Sequence, residues 1–269
     1  MLPFSCLTAV TESQPARQAP SPSRAERLAP ARRPRRWPVG YQRWRDLLFL
    51  HWEFPPDLLR RAIPRRLTLD TFDGRAYVGV IPFAIPENRL SFLPPLPLLS
   101  HFLELNVRTY VHLDGRHPGV WFFSLDASNP AAVLEARAAW RLPYCYAAMS
   151  MARPARAGDW FRYECERRWP ALARFDARYR PGEPLGPAAP GTLEHFLVER
   201  YLLFSDWGPA GLLAGQVHHR PYPLQRAEAD LAAVSVLRAA GLPDPTGPPH
   251  VLYSPGVDVE IFALRRPRQ

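Results

Sequence analysis

The amino-acid sequence predicts a mostly β single domain with peripheral helices. Short runs rich in Val, Phe, Tyr and Trp recur between turn signals. Two of those signals, Asp73-Gly74 and Asp114-Gly115, are hairpin dipeptides. Strands do not alternate with helices as a parallel α/β sheet requires, so hairpins that close on themselves are expected, with a barrel as the candidate form.

In chain order, residues 1–36 are rich in Pro, Ala, Ser and Arg and lack aliphatic periodicity. So little apolar surface cannot offset the entropy of ordering. A disordered extension is expected there, with an upstream start codon or a targeting peptide as alternatives, and the folded domain is expected over 37–269. "WRDLLFLHWEFP" has the content of a buried strand, and "PPDLLRRAIP" that of a short helix between prolines. "LTLDTFDGRAYVGVIPFAI" reads as two strands about the Asp73-Gly74 turn. Residues 82–98 hold five prolines and predict an ordered loop or a lid. "LELNVRTYVHLDGRHPGVWFFSLDA" is the second hairpin. "NPAAVLEARAAWRL" is the clearest helix, with Asn129 as cap, Pro130 in the first turn and Pro143 as stop. Strands are expected at 144–152 and 160–167, followed by a loop at "RPGEPLGPAAPG". "TLEHFLVERYLLFS" reads as a helix running into a strand, "GLLAGQVHHRPYPLQ" as a strand and "EADLAAVSVLRAAG" as a helix. "VLYSPGVDVEIFAL" supplies the closing strands.

Composition excludes several classes. At 269 residues and 47% hydrophobic content, the chain can bury roughly three quarters of its unfolded surface. No run approaches the roughly 20 apolar residues of a membrane helix, and "MLPFSCLTAV" lacks the charged start of a secretion signal. Cys6, Cys145 and Cys165 are sparse and not spaced as metal ligands, so a reducing, cytoplasmic setting is expected. The net charge is +9, and every one of the 34 basic residues is arginine. Residues 1–36 hold seven Arg against Glu12 and Glu26, which accounts for +5 of that charge. The remainder is mildly basic and carries no zinc-finger, helix-turn-helix or RNA-binding pattern. Neither a nucleic-acid nor a membrane partner is expected. Without lysine there is no side-chain Schiff base and no phosphate loop. GxGxxG, GxSxG and HExxH are also missing, and no cofactor or metal is expected.

"FLELNVRTYV" carries the most specific signal. Alternation along a strand puts Leu105, Val107, Thr109 and Val111 on one side and Glu104, Asn106, Arg108 and Tyr110 on the other. The polar set is either the wall of a pocket, a structural network inside the domain or a solvated face. If it faces inward, Glu104 and Arg108 are expected to pair, because unpaired buried charges are costly.

The stretches "FLHWEFPPDLLRRAIPRRLTLDTFDGRAYVGVIPF", "FLELNVRTYV", "GVWFFSLDASNPAAVLEARAAWRLPYCYAAM", "FLVERYLLFS" and "VHHRPYPLQRAE" resemble, in order and spacing, the YqjF-like bacterial family of unknown function. The resemblance covers Tyr41 to Phe262 and implies the acetoacetate decarboxylase-like superfamily. That in turn implies a closed, cone-shaped β-barrel with peripheral helices and an internal pocket. Decarboxylases of that superfamily carry Arg-Glu-x-x-Gly-x-Pro-Lys-Lys, to which "ARAAWRLPYCY" is similar. Arg137 and Pro143 match, Ala138 stands for the glutamate, Arg141 for the glycine, and Tyr144 and Cys145 for the two lysines. The amine nucleophile is gone. Glu104 corresponds to a strand glutamate of the same enzymes.

The candidate site follows from both readings. Glu104 and Tyr144 are the candidate proton-transfer groups, against a core tyrosine as the plainer reading of Tyr144. Asn106, Arg108, Tyr110, Arg137 and His218 are the candidate ligand contacts, Arg137 on the strength of the superfamily match. His218 and His219 straddle the two faces of one strand, so one of them points inward. A small carbonyl or carboxylate compound is the expected ligand, to be converted without imine chemistry or bound without conversion; a scaffold role is the third option. The sequence gives no oligomeric state.

Overall fold

The computed structural model describes residues 20–95, 100–156 and 158–267. Twelve strands form one sheet. The first five are β1 (Gly40–Phe54), β2 (Thr68–Leu69), β3 (Ala76–Leu90), β4 (Phe102–Leu113) and β5 (Arg116–Ala127). Next come β6 (Tyr144–Ala152), β7 (Phe161–Arg167), β8 (Ala173–Gly186) and β9 (Leu202–Asp206). The last three are β10 (Leu212–His218), β11 (Leu224–Val234) and β12 (His250–Arg265). The helices are α1 (Arg24–Leu28), α2 (Pro56–Ala62), α3 (Pro130–Trp140), α4 (Leu193–Val198) and α5 (Val236–Ala239). Among the described residues no helix is long and apolar enough to cross a membrane.

Pairing follows the order β10-β9-β5-β6-β7-β8-β11-β12-β1-β3-β4-β2, and extra pairings join β10 to β12 and β5 to β4. Those two links create two rings that share β5, β4, β3, β1 and β12. One ring adds β9 and β10; the other adds β6, β7, β8 and β11. Each ring encloses its own apolar core. Leu47 and Phe49 of β1, Ile81 and Phe83 of β3 and Phe122 of β5 face the first. Leu48, Leu50 and Trp52 of β1, Val78 and Val80 of β3 and Leu105 and Val107 of β4 face the second. The middles of β1 and β3 are apolar on both faces because both faces are covered, which is why β1 reads as a continuous hydrophobic run.

Both hairpin turns are where the dipeptides put them. Asp73 and Gly74, and Asp114 and Gly115, have the paired positive φ angles such turns need. The strand before Asp73 is short, however, and β2 pairs with β4 through Thr68–His112 rather than with β3. Asn129 caps α3 by accepting from the amides of Ala131 and Ala132. Gly256 is required where β12 passes close to β1 opposite Arg45: a Cβ there would lie 2.0 Å from the Trp44 carbonyl oxygen, at φ +129°.

Four expectations are corrected. The second half of the expected disordered extension, residues 20–36, is ordered as a strap across β5, β10 and β12. Arg27 binds Asp70, Arg33 binds Glu260, and Gln216 donates to the carbonyls of Pro30 and Arg32. Polar anchors at fixed positions hold a segment that has few apolar groups of its own. The first half, residues 1–19, lies outside the described residues. Second, the loop expected over 82–98 begins only after Leu90. Pro82 and Pro86 sit inside β3, at places where the β1–β3 register shifts and no ladder donor is needed from them. Third, "EADLAAV" belongs to strand β11; tertiary pairing with β8 overrides the helical preference of its Ala, Glu and Leu. Fourth, β8 takes in half of the segment read as a loop, with Pro181, Gly182 and Pro184 falling where its pairing to β11 is irregular.

Candidate functional site

A cavity of about 410 Å³ lies inside the first ring, roofed by α3. The polar side of β4 faces it: Glu104, Asn106 and Arg108 all line it, while Leu105 and Val107 point into the second core. The rest of the wall is largely apolar, with Trp44, Phe49, Phe83, Phe122, Trp140 and Tyr222 prominent. Such a mixture of apolar wall and few convergent polar groups is typical of small-molecule pockets.

One end holds a carboxyl pair. Glu104 is 5% exposed, and among the described residues its side-chain partner is the Tyr144 hydroxyl, which donates to Oε2 at 2.9 Å. Burial pushes the Glu104 carboxyl up to about 8, with the Tyr144 hydrogen bond opposing only part of that rise. It is therefore mostly a neutral acid at pH 7. Tyr144 is itself driven well above the phenol range, first by burial and then by Glu104. Tyr163 donates to the Glu104 carbonyl at 2.9 Å and fixes the strand from the opposite side. Glu135 of α3 also lines the cavity, and burial raises its carboxyl too.

The other end is cationic. Arg108 is 8% exposed and donates to the Leu197 carbonyl at 3.2 Å; among the described residues its Nε has no partner. The expected Glu104–Arg108 pair does not form. Glu104 turns to Tyr144 and Arg108 to the Leu197 carbonyl, at opposite ends of a strand run of roughly 13 Å. Asn106 Oδ1 is likewise buried without a partner. Arg200 reaches the same cavity after α4, with Nη1 bound to Asp70 at 2.8 Å and Nη2 unpartnered. Burial alone raises Asp70, but Arg200 and Arg27 outweigh it and hold the carboxyl below its usual range.

The remaining candidates fall elsewhere. Tyr110 is fully buried beneath the cavity, where its hydroxyl donates to the Leu197 carbonyl and meets His51 Nε2 at 2.7 Å. It supports Arg108 from below and does not line the cavity. Arg137 is exposed on the outer face of α3, over the Trp169 ring. A helix shows one stripe to its roof, and Ala132, Glu135, Ala136, Ala139 and Trp140 are that stripe. His218 faces outward, with Nδ1 3.2 Å from the Ala31 carbonyl of the strap. The inward histidine is His219, stacked on Tyr201, tilted against Tyr222 and lowered to about 4, first by burial. Cys145 and Cys165 are buried. Glu135 was findable from its spacing on the helix; Arg200 had no signal, because its partner Asp70 is 130 residues away.

Ring topology, roof helix and cavity together define the acetoacetate decarboxylase-like fold. The enduracididine biosynthesis enzyme MppR complexed with pyruvate matches with a TM-score of 0.60 at 12% identity, over 86% of this chain and 91% of that one. Acetoacetate decarboxylase from Legionella pneumophila matches at 0.57 and 14%, over 87% and 90%. Within that fold the chain belongs to the DUF2071 family, described as "Uncharacterized conserved protein (COG2071)", whose pattern matches residues 41–258. The uncharacterized protein YqjF of Bacillus subtilis (strain 168) is 38% identical over 225 residues, 84% of this chain and 91% of its own length.

Proposed function

We propose that the cavity holds a small carbonyl or carboxylate compound, its anionic group on Arg108 and its apolar part among the aromatic walls. The observation that carries this reading is Arg108: a guanidinium in a nearly dry wall, with no carboxylate within ion-pair reach among the described residues and an orphaned Nε. A buried charge without a counterion is costly, and an incoming anion relieves that cost through a bidentate contact. Asn106 Oδ1 takes a donor from the same ligand. The complex of MppR with pyruvate supports the ligand size. No lysine exists to form an imine, and the acid the cavity offers in its place is Glu104. Protonated Glu104 can pass its proton to the ligand's carbonyl oxygen and take it back, with the Tyr144 hydroxyl steadying the carboxylate left in between.

Thermal-shift and calorimetric titration with pyruvate, acetoacetate and aromatic monocarboxylates tests the binding step. Stabilisation by at least one of them, abolished by Arg108→Gln, is expected; no hit across the series removes the proposal. Turnover of the hits is then assayed with Glu104→Gln and Tyr144→Phe. Binding without turnover in the parent chain identifies a carrier or sensor, a reading favoured by the fact that Glu104 and Tyr144 already satisfy each other.

A further inference from the structure

Trp37 and Phe92 are 83% and 88% exposed, an unusual position for the two side chains with most to gain from burial. They form one feature. Leu90 pairs with Gly40, the Ser91 amide donates to the Val39 carbonyl at 3.1 Å, and Ser91 Oγ donates to the Pro38 carbonyl at 2.5 Å. This ladder continues past the sheet and ends with Trp37 next on one strand and Phe92 next on the other. Val39, Leu90 and Leu93, 38 to 49% exposed, extend the apolar surface. Single exposed apolar residues are ordinary, whereas a contiguous group of five signals a contact.

Charge identifies the contact. Immediately before Trp37 the strap crosses β12, where Arg36 donates to the Ala263 carbonyl. There Arg35, Arg36, Arg265 and Arg266 line a groove of about 340 Å³ with no acidic residue in its walls. Arg35, Arg265 and Arg266 have no ion pair among the described residues, and Glu260 of β12 and Glu87 of β3 are engaged by Arg33 and Arg43. A second copy of this chain docked here would bring like charge to like charge. An anionic surface meets both halves of the feature.

We infer that this tip docks the protein on an anionic membrane surface. Trp37 and Phe92 enter the boundary between headgroups and acyl chains, and the four arginines meet lipid phosphates. Val39 and Leu90 also line the cavity mouth, so the cavity opens toward the bilayer.

Co-sedimentation of the full chain with vesicles of phosphatidylglycerol and phosphatidylcholine, against phosphatidylcholine alone, tests this. Binding to the anionic vesicles only is expected, weakening with salt and falling about tenfold or more in Trp37→Ser/Phe92→Ser. Arg35→Ser/Arg266→Ser should weaken binding and flatten its salt dependence. No sedimentation with anionic vesicles at low salt overturns the inference, as does binding indifferent to the Trp37 and Phe92 changes. Concentration-dependent self-association that those changes abolish, with no vesicle binding, assigns the tip to a second copy instead. Both side chains are exposed, so the thermal midpoint of the variants should not move. Ligand shifts without vesicles report separately on the cavity.

Discussion

At the residue scale, the carboxyl of Glu104 and the guanidinium of Arg108 make opposite demands on stability. The folded chain keeps a proton on Glu104 up to about pH 8, whereas an ordinary glutamate releases it near 4.5. The folded state thus binds the extra proton between those values. Its contribution is complete below about 4.5, declines as pH rises and is gone above about 8. Comparing thermal midpoints across pH 4 to 9, Glu104→Gln should lack this part of the decline seen in the parent. Arg108 stabilises little: its acceptor, the Leu197 carbonyl, also receives the Tyr110 hydroxyl and stays satisfied without it. Arg108→Met should therefore raise stability by about 1 kcal/mol in denaturant titration while removing the ligand shift; a loss of stability would show the charge is needed by the fold. The polar row on β4 was legible because strand alternation needs only sequence. Its inward direction was not, since that depends on which neighbours cover each face.

At the element scale, α3 is the part of the cavity most simply perturbed. Asn129 holds its first turn through two amide hydrogen bonds. Asn129→Ala should cost about 1 kcal/mol in denaturant unfolding and weaken ligand binding, because Trp140 and Leu142 shift with the helix. An unchanged affinity would mean that the roof is positioned by its packing alone. Helix α3, β1 and the β4–β5 hairpin were readable because caps, turns and apolar runs are local. β11 was not, for Ala, Glu and Leu favour a helix until β8 offers its edge. β8 was half missed because Pro and Gly signal a loop wherever the irregular pairing that tolerates them cannot be seen.

At the scale of the whole molecule, Asp70 joins three parts of the chain. It accepts from Arg27 of the strap, at 2.7 Å, and from Arg200 of the cavity wall, at 2.8 Å. Residues 20–36 precede the family match at 41–258, yet they reach a cavity residue through this one carboxylate. Asp70→Asn leaves Arg200 buried without its counterion and should cost about 3 kcal/mol or more; Arg27→Gln, whose partner keeps Arg200, should cost clearly less. Equal losses would show the strap to be the main anchor. None of this was legible, because the three residues are distant in sequence and each alone reads as a surface charge.

The double use of β1, β3 and β4 as a party wall has an evolutionary consequence. Removing one residue from the middle of β4 would turn every later side chain through half a revolution. Arginine and asparagine would then be driven into the sealed chamber, and aliphatics into the open one. Length changes in these three strands should accordingly be the least forgiven lesions in this protein, and drift in its ligand preference should proceed by exchange of side chains at fixed length.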